Sequence, residues 1–598
     1  MKRTAALLCI VAISAGSASC TPKPPAVDPV VENIFSGFEQ GEGFSEYFDD
    51  PSAVEDVFTA TYSGLQAEGV DFELRGIEQQ ENFATATYHV SWDLPRDRQV
   101  SYDTTMTLTK ANEKWTARWQ PRIIHPNLGA HQHLELRAVQ ADRASVVSSD
   151  GVELMRPGLQ YRVVVDTSQV RNRSAEAGRI SHAIADAGGD APEIQELADA
   201  LRGATGNYSV GLYNEQVGVK LAEVFADDPV VRINDEPALV TRDPGFAPEL
   251  MSRVSSLVSD DTMGANGWAV AVVNNNGAAL SNVEYHAPEP SPAVRVSVDY
   301  DVQRAAEEAV NLRAQSQVML VAVRPSTGEI LAVAQTPAAD RDGDLALQGQ
   351  FPPGSVFKII TSAAGIDKQG LEQQSIVPCP GTMEFFGRVV TNYNSFSLGS
   401  VPLITAFAHS CNTTFADIST RLAPGELAAE GKRFGLGLDF AVPGLTTVTG
   451  SIPEGETPLD RTEAGYGQGL DLVTPFGMAL VSATVAAGRT PIPQLVSTAK
   501  TEVNEQVAPP EPRVIDNLRA LMRKTVANGT ATGMQAGGTI YGKTGEAEIN
   551  SGSHAWFTGY RDDDIAFATL VVLGGGSESA VAITDAFFQN LDRFRSEP

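Results

Sequence analysis

Pro352-Pro353-Gly354-Ser355-Val356-Phe357-Lys358 is the stretch on which the reading of this chain turns. Proline and glycine close a loop, and the apolar residues that follow predict a helix over 355–367 with Ser355 in its first turn. Residues three apart share one helix face, so the Lys358 amine falls beside the Ser355 hydroxyl. A serine hydroxyl is a poor nucleophile until a neighbour takes its proton, and a lysine does so only if its pKa drops from about 10.4. Burial and a second cation both push it down. The helix N-terminus adds N–H donors suited to an oxyanion. The spacing alone is weak: Ser497-Thr498-Ala499-Lys500 repeats it in a β-like segment after Pro491 and Pro493, and reads as a bystander.

Two companions lie downstream. Ser410-Cys411-Asn412 closes a helical stretch over 403–410, and Lys543-Thr544-Gly545 sits between Thr539-Ile540-Tyr541-Gly542 and Glu546-Ala547-Glu548. SxxK, SxN and KTG in that order form the signature set of penicillin-binding proteins and serine β-lactamases.

Composition agrees with a folded protein. The 598 residues suggest three or four domains, and 42% hydrophobic against 20% charged residues rules out wholesale disorder. Lys+Arg 44 against Asp+Glu 74 leaves a net charge of -30 with no basic patch, which excludes nucleic acid as a partner. Four cysteines without CxxC and eight histidines without HExxH give no metal site, and no cofactor is called for.

Lys2 and Arg3 precede an apolar run over 5–15, too short to span a bilayer, and Ser17-Ala18-Ser19 lead into Cys20. This resembles a bacterial lipoprotein signal: a signal peptide over 1–19 and a lipidated Cys20 at the cell membrane, although Ser17 stands where that signal usually has Leu. An ordinary secretory signal and an uncleaved anchor are the alternatives, and all three put the body outside the cytoplasm. An acidic body suits a tether that holds it off anionic lipid.

A proline-rich linker over 20–29 leads into an α+β region over 30–135, with helices near 30–40 and 53–67 and strands over 83–92, 100–108 and 114–119. The region 136–286 is mixed, with helices near 179–187 and 192–201, the second capped by Asp190. Ala287–Ala293 (APEPSPA) marks the boundary to 287–598. There a strand over 294–298, a helix over 302–312 capped by Asp301, a hairpin of 318–323 with 330–334, and a strand over 565–573 indicate a sheet flanked by helices.

Residues 290–598 resemble the transpeptidase domain of a class B penicillin-binding protein. Tyr466-Gly467-Gln468-Gly469, Thr474-Pro475, Met478-Ala479, Gly529-Thr530, His554–Tyr560 and Pro378-Cys379-Pro380-Gly381 match beyond the three motifs. Trp119-Gln120-Pro121 and Ile124-His125-Pro126 resemble, less specifically, the nuclear-transport-factor-two-like (NTF2-like) extension of the methicillin-resistance class. The usual opening of a pedestal or dimerisation domain is loosely echoed over 143–154. The layout is most similar to the penicillin-binding lipoproteins of actinobacteria. The resemblance implies a multidomain chain: a cone-like NTF2-like domain, a pedestal domain, both α+β, and a transpeptidase domain with a mainly antiparallel sheet flanked by helices.

The implied activity is that of a peptidoglycan D,D-transpeptidase, inhibited covalently by β-lactams, with glycan strands supplied by a partner polymerase. Ser355 would be the nucleophile, Lys358 the general base and Ser410 the proton relay. Asn412 would bind the substrate amide and orient Lys358, and Lys543 with Thr544 in the Lys543-Thr544-Gly545 motif would hold the terminal carboxylate. The N–H groups of Ser355 and Glu546 would form the oxyanion hole. Glu546 departs from the family, which usually has a hydroxyl residue there: pointing inward it repels anionic ligands, and paired outward with an arginine it is neutral. D,D-carboxypeptidases and β-lactamases carry the same motifs, and a non-catalytic β-lactam sensor or wall scaffold is the alternative of another class. Cys411 reads as a small buried filler, with pairing to Cys379 the alternative. Glu456–Asp460 reads as a chance likeness to a β-lactamase deacylating loop, His125 as a packing histidine, and Arg561–Asp564 as a solvated turn.

Overall fold

A computed structural model describes residues 26–596. The signal over 1–19, most of the linker and Cys20 lie outside the described residues. Two compact units emerge: residues up to Ala141 with Ala265–Glu289, and Asp142–Gly264 with the chain from Pro290 onward.

In the first unit, the helices Asp28–Gln40 and Pro51–Leu65 pack on an antiparallel meander of Gly69–Gln79, Phe83–Leu94, Arg98–Ala111 and Lys114–Ala117. Alternation along Phe83–Leu94 buries Tyr88, Val90 and Trp92 against Phe35, Phe38 and Phe58. A second sheet orders Ala279–His286, Gly267–Asn274 and Gln132–Val139. Residues 265–286, grouped with 136–264 on sequence grounds, therefore complete a sheet of the first unit. The reason is pairing: Gly267–Asn274 is bonded along its whole length to Gln132–Val139.

In the second unit, residues 142–264 build a sheet around Glu153–Asp166, which pairs with Asn207–Asn214 and Val231–Thr241. The helix there runs Ile194–Gly203 with Glu193 as N-cap, so Asp190 is not its cap; the chain over 190–193, including Pro192, is not yet helical.

The remainder is a five-stranded antiparallel sheet in the order Ile330–Gln335, Val318–Val323, Ile565–Val571, Gly552–Arg561, Ile540–Ile549. The hairpin of 318–323 with 330–334 is as predicted. The wholly buried runs Val318–Val323 and Ile565–Val571 reflect helices on both faces. Pro475–Ala487 covers one face, while Tyr300–Val310 and Glu578–Ser596 cover the other. The helix Tyr300–Val310 is capped by Asp299, whose side chain accepts from the Val302 N–H, rather than by Asp301.

Candidate active site

Ser355 occupies a single 3-10 turn, Gly354–Phe357, from which the α-helix Lys358–Gln369 continues. The sequence predicted one α-helix here; the tighter opening turn is the difference. At three residues per turn, positions i and i+3 eclipse. Lys358 Nζ thus lies 2.8 Å from Ser355 Oγ.

Three stretches of backbone converge behind the nucleophile. Gly354 has φ +53°, and a Cβ there would lie 2.4 Å from the Glu546 carbonyl oxygen. Gly467, at φ +76°, accepts the Gly354 N–H at 2.9 Å, and its own Cβ would lie 1.8 Å from Gly354 O. Only glycine fits either position. Trp556 Nε1 donates to Pro352 O at 3.0 Å and fixes the preceding loop to the sheet.

Ser410 lies between the helices Leu403–Ala408 and Asn412–Thr420, with φ +60°. For a residue with a Cβ this costs on the order of 1–2 kcal/mol. Backbone bonds from Ser410 N–H to Phe407 O (3.0 Å) and from Cys411 N–H to Ala406 O (2.9 Å) hold the turn. It brings Ser410 O and Oγ to 2.9 and 3.1 Å from Lys358 Nζ. Asn412 Oδ1 accepts from the same amine at 2.6 Å, and its Nδ2 donates to Thr391 O at 2.9 Å. From the edge strand Ile540–Ile549, Lys543 Nζ donates to Ser410 Oγ at 3.0 Å and to Thr544 O at 2.7 Å.

Both lysines are 0% exposed, with the Phe415 and Phe407 rings 5.6 Å from the respective amines. Burial, reinforced by the Lys543 charge, holds Lys358 well below the ordinary lysine range. Burial also lowers Lys543, to about 7. A neutral lysine amine has two N–H bonds and one lone pair. Ser410 O and Asn412 Oδ1 take the two donors, which leaves the lone pair for the Ser355 hydroxyl proton. This is the arrangement a general base requires.

Ser355, Ser410, Asn412, Thr544, Gly545 and Glu546 open on one cleft of about 1180 Å³. The six predicted active-site residues other than the lysines thus meet in one place, and both lysines lie buried behind them, bonded to Ser355 and Ser410. Thr544 Oγ1 is hydrogen-bonded to Thr530 Oγ1. Glu546 borders the cleft, and Ser553 Oγ donates to its Oε1 at 2.8 Å, so the hydrogen-bond partner there is a serine in place of the suggested arginine. Cys411 is not a free filler. It is bonded to Cys379, with the Cα atoms 6.1 Å apart.

Sequence reasoning missed the wall opposite the sheet. It comes from the hairpin of Thr382–Phe385 with Arg388–Thr391 and the turn that follows, where Val389 and Tyr393 are exposed at the rim and Arg388 pairs with Glu463 at 3.1 Å. No spacing rule marks these residues; the turn at Phe386-Gly387 was the available signal. The bystanders are accounted for. Ser497 donates to Arg295 O, Asp460 forms a capping box with Thr457, and His125 is buried beside Tyr102 with its pKa lowered to about 4. Residues 562–564 form the hairpin turn that the sequence suggests, while Arg561 at its start is 5% exposed, stacks on Phe588 and bonds Asp563 and Asp592.

A Ser-Lys-Ser core between an antiparallel sheet and its helices defines a serine acyl-transfer domain. The penicillin binding protein transpeptidase domain family matches residues 318–591, and the NTF2-like N-terminal transpeptidase domain family matches 45–132. Peptidoglycan D,D-transpeptidase PbpA of Mycolicibacterium smegmatis is 28% identical over 339 residues, covering 48% of this chain and 68% of that protein. Its Mycobacterium tuberculosis namesake is 28% identical over 315 residues, covering 44% and 63%. The chain thus matches about two thirds of the length of these relatives. In fold it is similar to the complex of penicillin-binding protein PBP2 with MreC from Helicobacter pylori, with a TM-score of 0.60 at 15% identity over 77% of this chain and 99% of that one. A peptidoglycan synthase complex that coordinates polymerisation and crosslinking gives 0.53 at 21% identity over 77% and 91%. The chain carries a penicillin-binding-protein transpeptidase domain that follows an NTF2-like domain in sequence.

Proposed function

We propose that this protein is a peptidoglycan D,D-transpeptidase acting through an acyl-enzyme on Ser355. The observation that carries the reading is the Lys358 amine, buried and bonded at once to Ser355 Oγ, Ser410 and Asn412. Lys358 removes the Ser355 proton as Oγ attacks the penultimate D-Ala carbonyl of a donor stem. The N–H groups of Ser355 and Glu546 receive the developing oxyanion. The bond to terminal D-Ala breaks, its nitrogen takes the proton through the Ser410 hydroxyl, and an ester remains on Ser355. An acceptor-stem amine then attacks the ester, forms the cross-linking amide, and returns the proton to Ser355. Charged Lys543, with Thr544, holds the donor's carboxylate. A β-lactam follows the same first step, its ring amide in place of the D-Ala-D-Ala bond.

The named activity of the PbpA relatives supports this reading, as does the disulfide, a bond expected in an oxidising compartment. The likeness to a synthase complex in which polymerisation and crosslinking are coordinated supports a partner glycan polymerase. Lipidation at Cys20 would anchor the protein to the outer face of the cell membrane. Among the described residues no helix is long and apolar enough to cross a membrane.

Intact-mass analysis with a labelled penicillin tests the assignment. Wild type should carry one slowly hydrolysed adduct and Ser355→Ala none. Rapid turnover would favour a β-lactamase, and an adduct on Ser355→Ala would remove Ser355 from the reaction.

A further inference from the structure

Three segments meet under the cleft wall: 378–380, 391–396 and 411–414. Thr413 Oγ1 donates to Pro380 O at 2.9 Å and Thr414 Oγ1 to Pro378 O at 2.6 Å. Asn392, 1% exposed, donates from Nδ2 to Pro380 O and Phe396 O, both at 2.9 Å, and accepts the Thr413 N–H at 3.1 Å. These bonds tie the wall to the helix Asn412–Thr420 from its second residue onward. The turn before that helix, where Ser410 stands at φ +60°, has its two backbone bonds to Phe407 O and Ala406 O and one further contact with the wall.

That contact is covalent. Cys411 is the N-cap of Asn412–Thr420, a position where serine, threonine, asparagine or aspartate usually bonds the first turn, and here no side-chain cap bond forms. Its sulfur is bonded instead to Cys379, and both residues are 0% exposed. Cys411 is flanked by Ser410 and Asn412, three of whose oxygens (Ser410 O and Oγ, Asn412 Oδ1) contact Lys358 Nζ.

We propose that the Cys379–Cys411 disulfide is a positioning element of the acylation machinery, which holds the strained Ser410 turn and Asn412 against Lys358 by fastening both to the cleft wall. The proposal rests on Ser355 being the acylated nucleophile. The disulfide touches no reacting atom and acts only through its two neighbours. Without it, the hydrogen bonds around Asn392 still hold 412 onward, and only the two backbone bonds to Phe407 O and Ala406 O oppose relaxation of Ser410 out of the left-handed region. Its carbonyl and hydroxyl then leave the Lys358 amine, and water reaches the floor of the cleft.

The test measures acylation by a fluorescent penicillin from pH 5 to 10 for wild type, Cys379→Ala/Cys411→Ala and the volume-filling Cys379→Val/Cys411→Ala, with thermal unfolding of each. Wild type is also exposed to a water-soluble phosphine, and free thiols, near-UV circular dichroism and acylation are followed together. The expected result is at least a tenfold slower acylation in both variants, with the acid limb of the profile displaced to higher pH as water relieves the burial that depresses Lys358. The Val/Ala variant should regain thermal stability without regaining rate, and reduced wild type should lose acylation before it loses its near-UV signal. Wild-type rates and an unmoved limb in either folded variant would overturn the proposal. So would near-UV signal vanishing in step with the thiols, since the bond would then be a folding staple. No adduct on oxidised wild type would instead remove the acyl-enzyme reading, and this proposal with it.

Discussion

Ser410 Oγ lies 3.0 Å from Lys543 Nζ and, on its other side, within reach of Lys358. One hydroxyl therefore connects two buried amines that cannot both hold a charge cheaply. The pair divides the work: burial and the neighbouring charge push the amine facing Ser355 toward neutrality, and Lys543 keeps its proton to about pH 7.

The division sets the pH dependence of acylation. Lys358 must be neutral, so the rate rises with pH through its lowered pKa. Lys543 must be charged to hold an anionic ligand, so the rate falls as pH passes about 7. Second-order acylation rates across pH should be bell-shaped, with the alkaline limb near 7. A neutral β-lactam should lose most of that limb, because it presents no carboxylate to Lys543.

Gly467→Ala should be nearly inactive. Its Cβ would fall 1.8 Å from Gly354 O at a φ that disfavours any side chain. The nucleophile turn must shift, at a stability cost of about 1–3 kcal/mol. Penicillin acylation and the thermal midpoint should drop together. Gly76, an exposed strand glycine with open space around it, should accept alanine with little change in either.

Glu546→Thr should speed acylation by anionic β-lactams a few-fold at low salt. The substitution removes a carboxylate from the cleft edge and restores a hydroxyl, and Ser553 merely loses an acceptor. Because the cleft is open to solvent, the gain should shrink as ionic strength rises. Equal rates at low salt would mean that Glu546 does not influence ligand charge.

Thr530→Val removes the partner of the Thr544 hydroxyl while keeping the shape of the side chain. One lost hydrogen bond of about 1 kcal/mol corresponds to a roughly fivefold weaker capture of the ligand carboxylate. Saturation kinetics should show the loss in the binding constant, with the limiting acylation rate less affected.

The catalytic floor was legible because its members carry chemistry in short motifs, each tied to one element. Ser355 and Lys358 are a turn apart, Ser410 and Asn412 flank a helix start, and Lys543 and Thr544 lie on an edge strand. Helix caps were less legible. Asp299 caps where Asp301 was expected, since two acids two residues apart offer the same signal until the strand before them sets the register. The cleft wall and Asn392 were not legible: their roles come from long-range hydrogen bonds that leave no period or composition in the chain. Residues 265–289 defeated the linear division for a similar reason, because strand pairing with Gln132–Val139 ignores sequence distance.

That return of the chain bears on how the protein can be dissected. Gly267–Asn274 is the middle strand of its sheet, bonded on both edges. A gene fragment that stops near residue 141 would leave Gln132–Val139 with a bare edge, and one that starts there would carry a stray hairpin in search of a partner. Neither piece is a faithful surrogate for the whole. The two units are interlaced along the polypeptide, and grafting or recombining them requires two splice points rather than one.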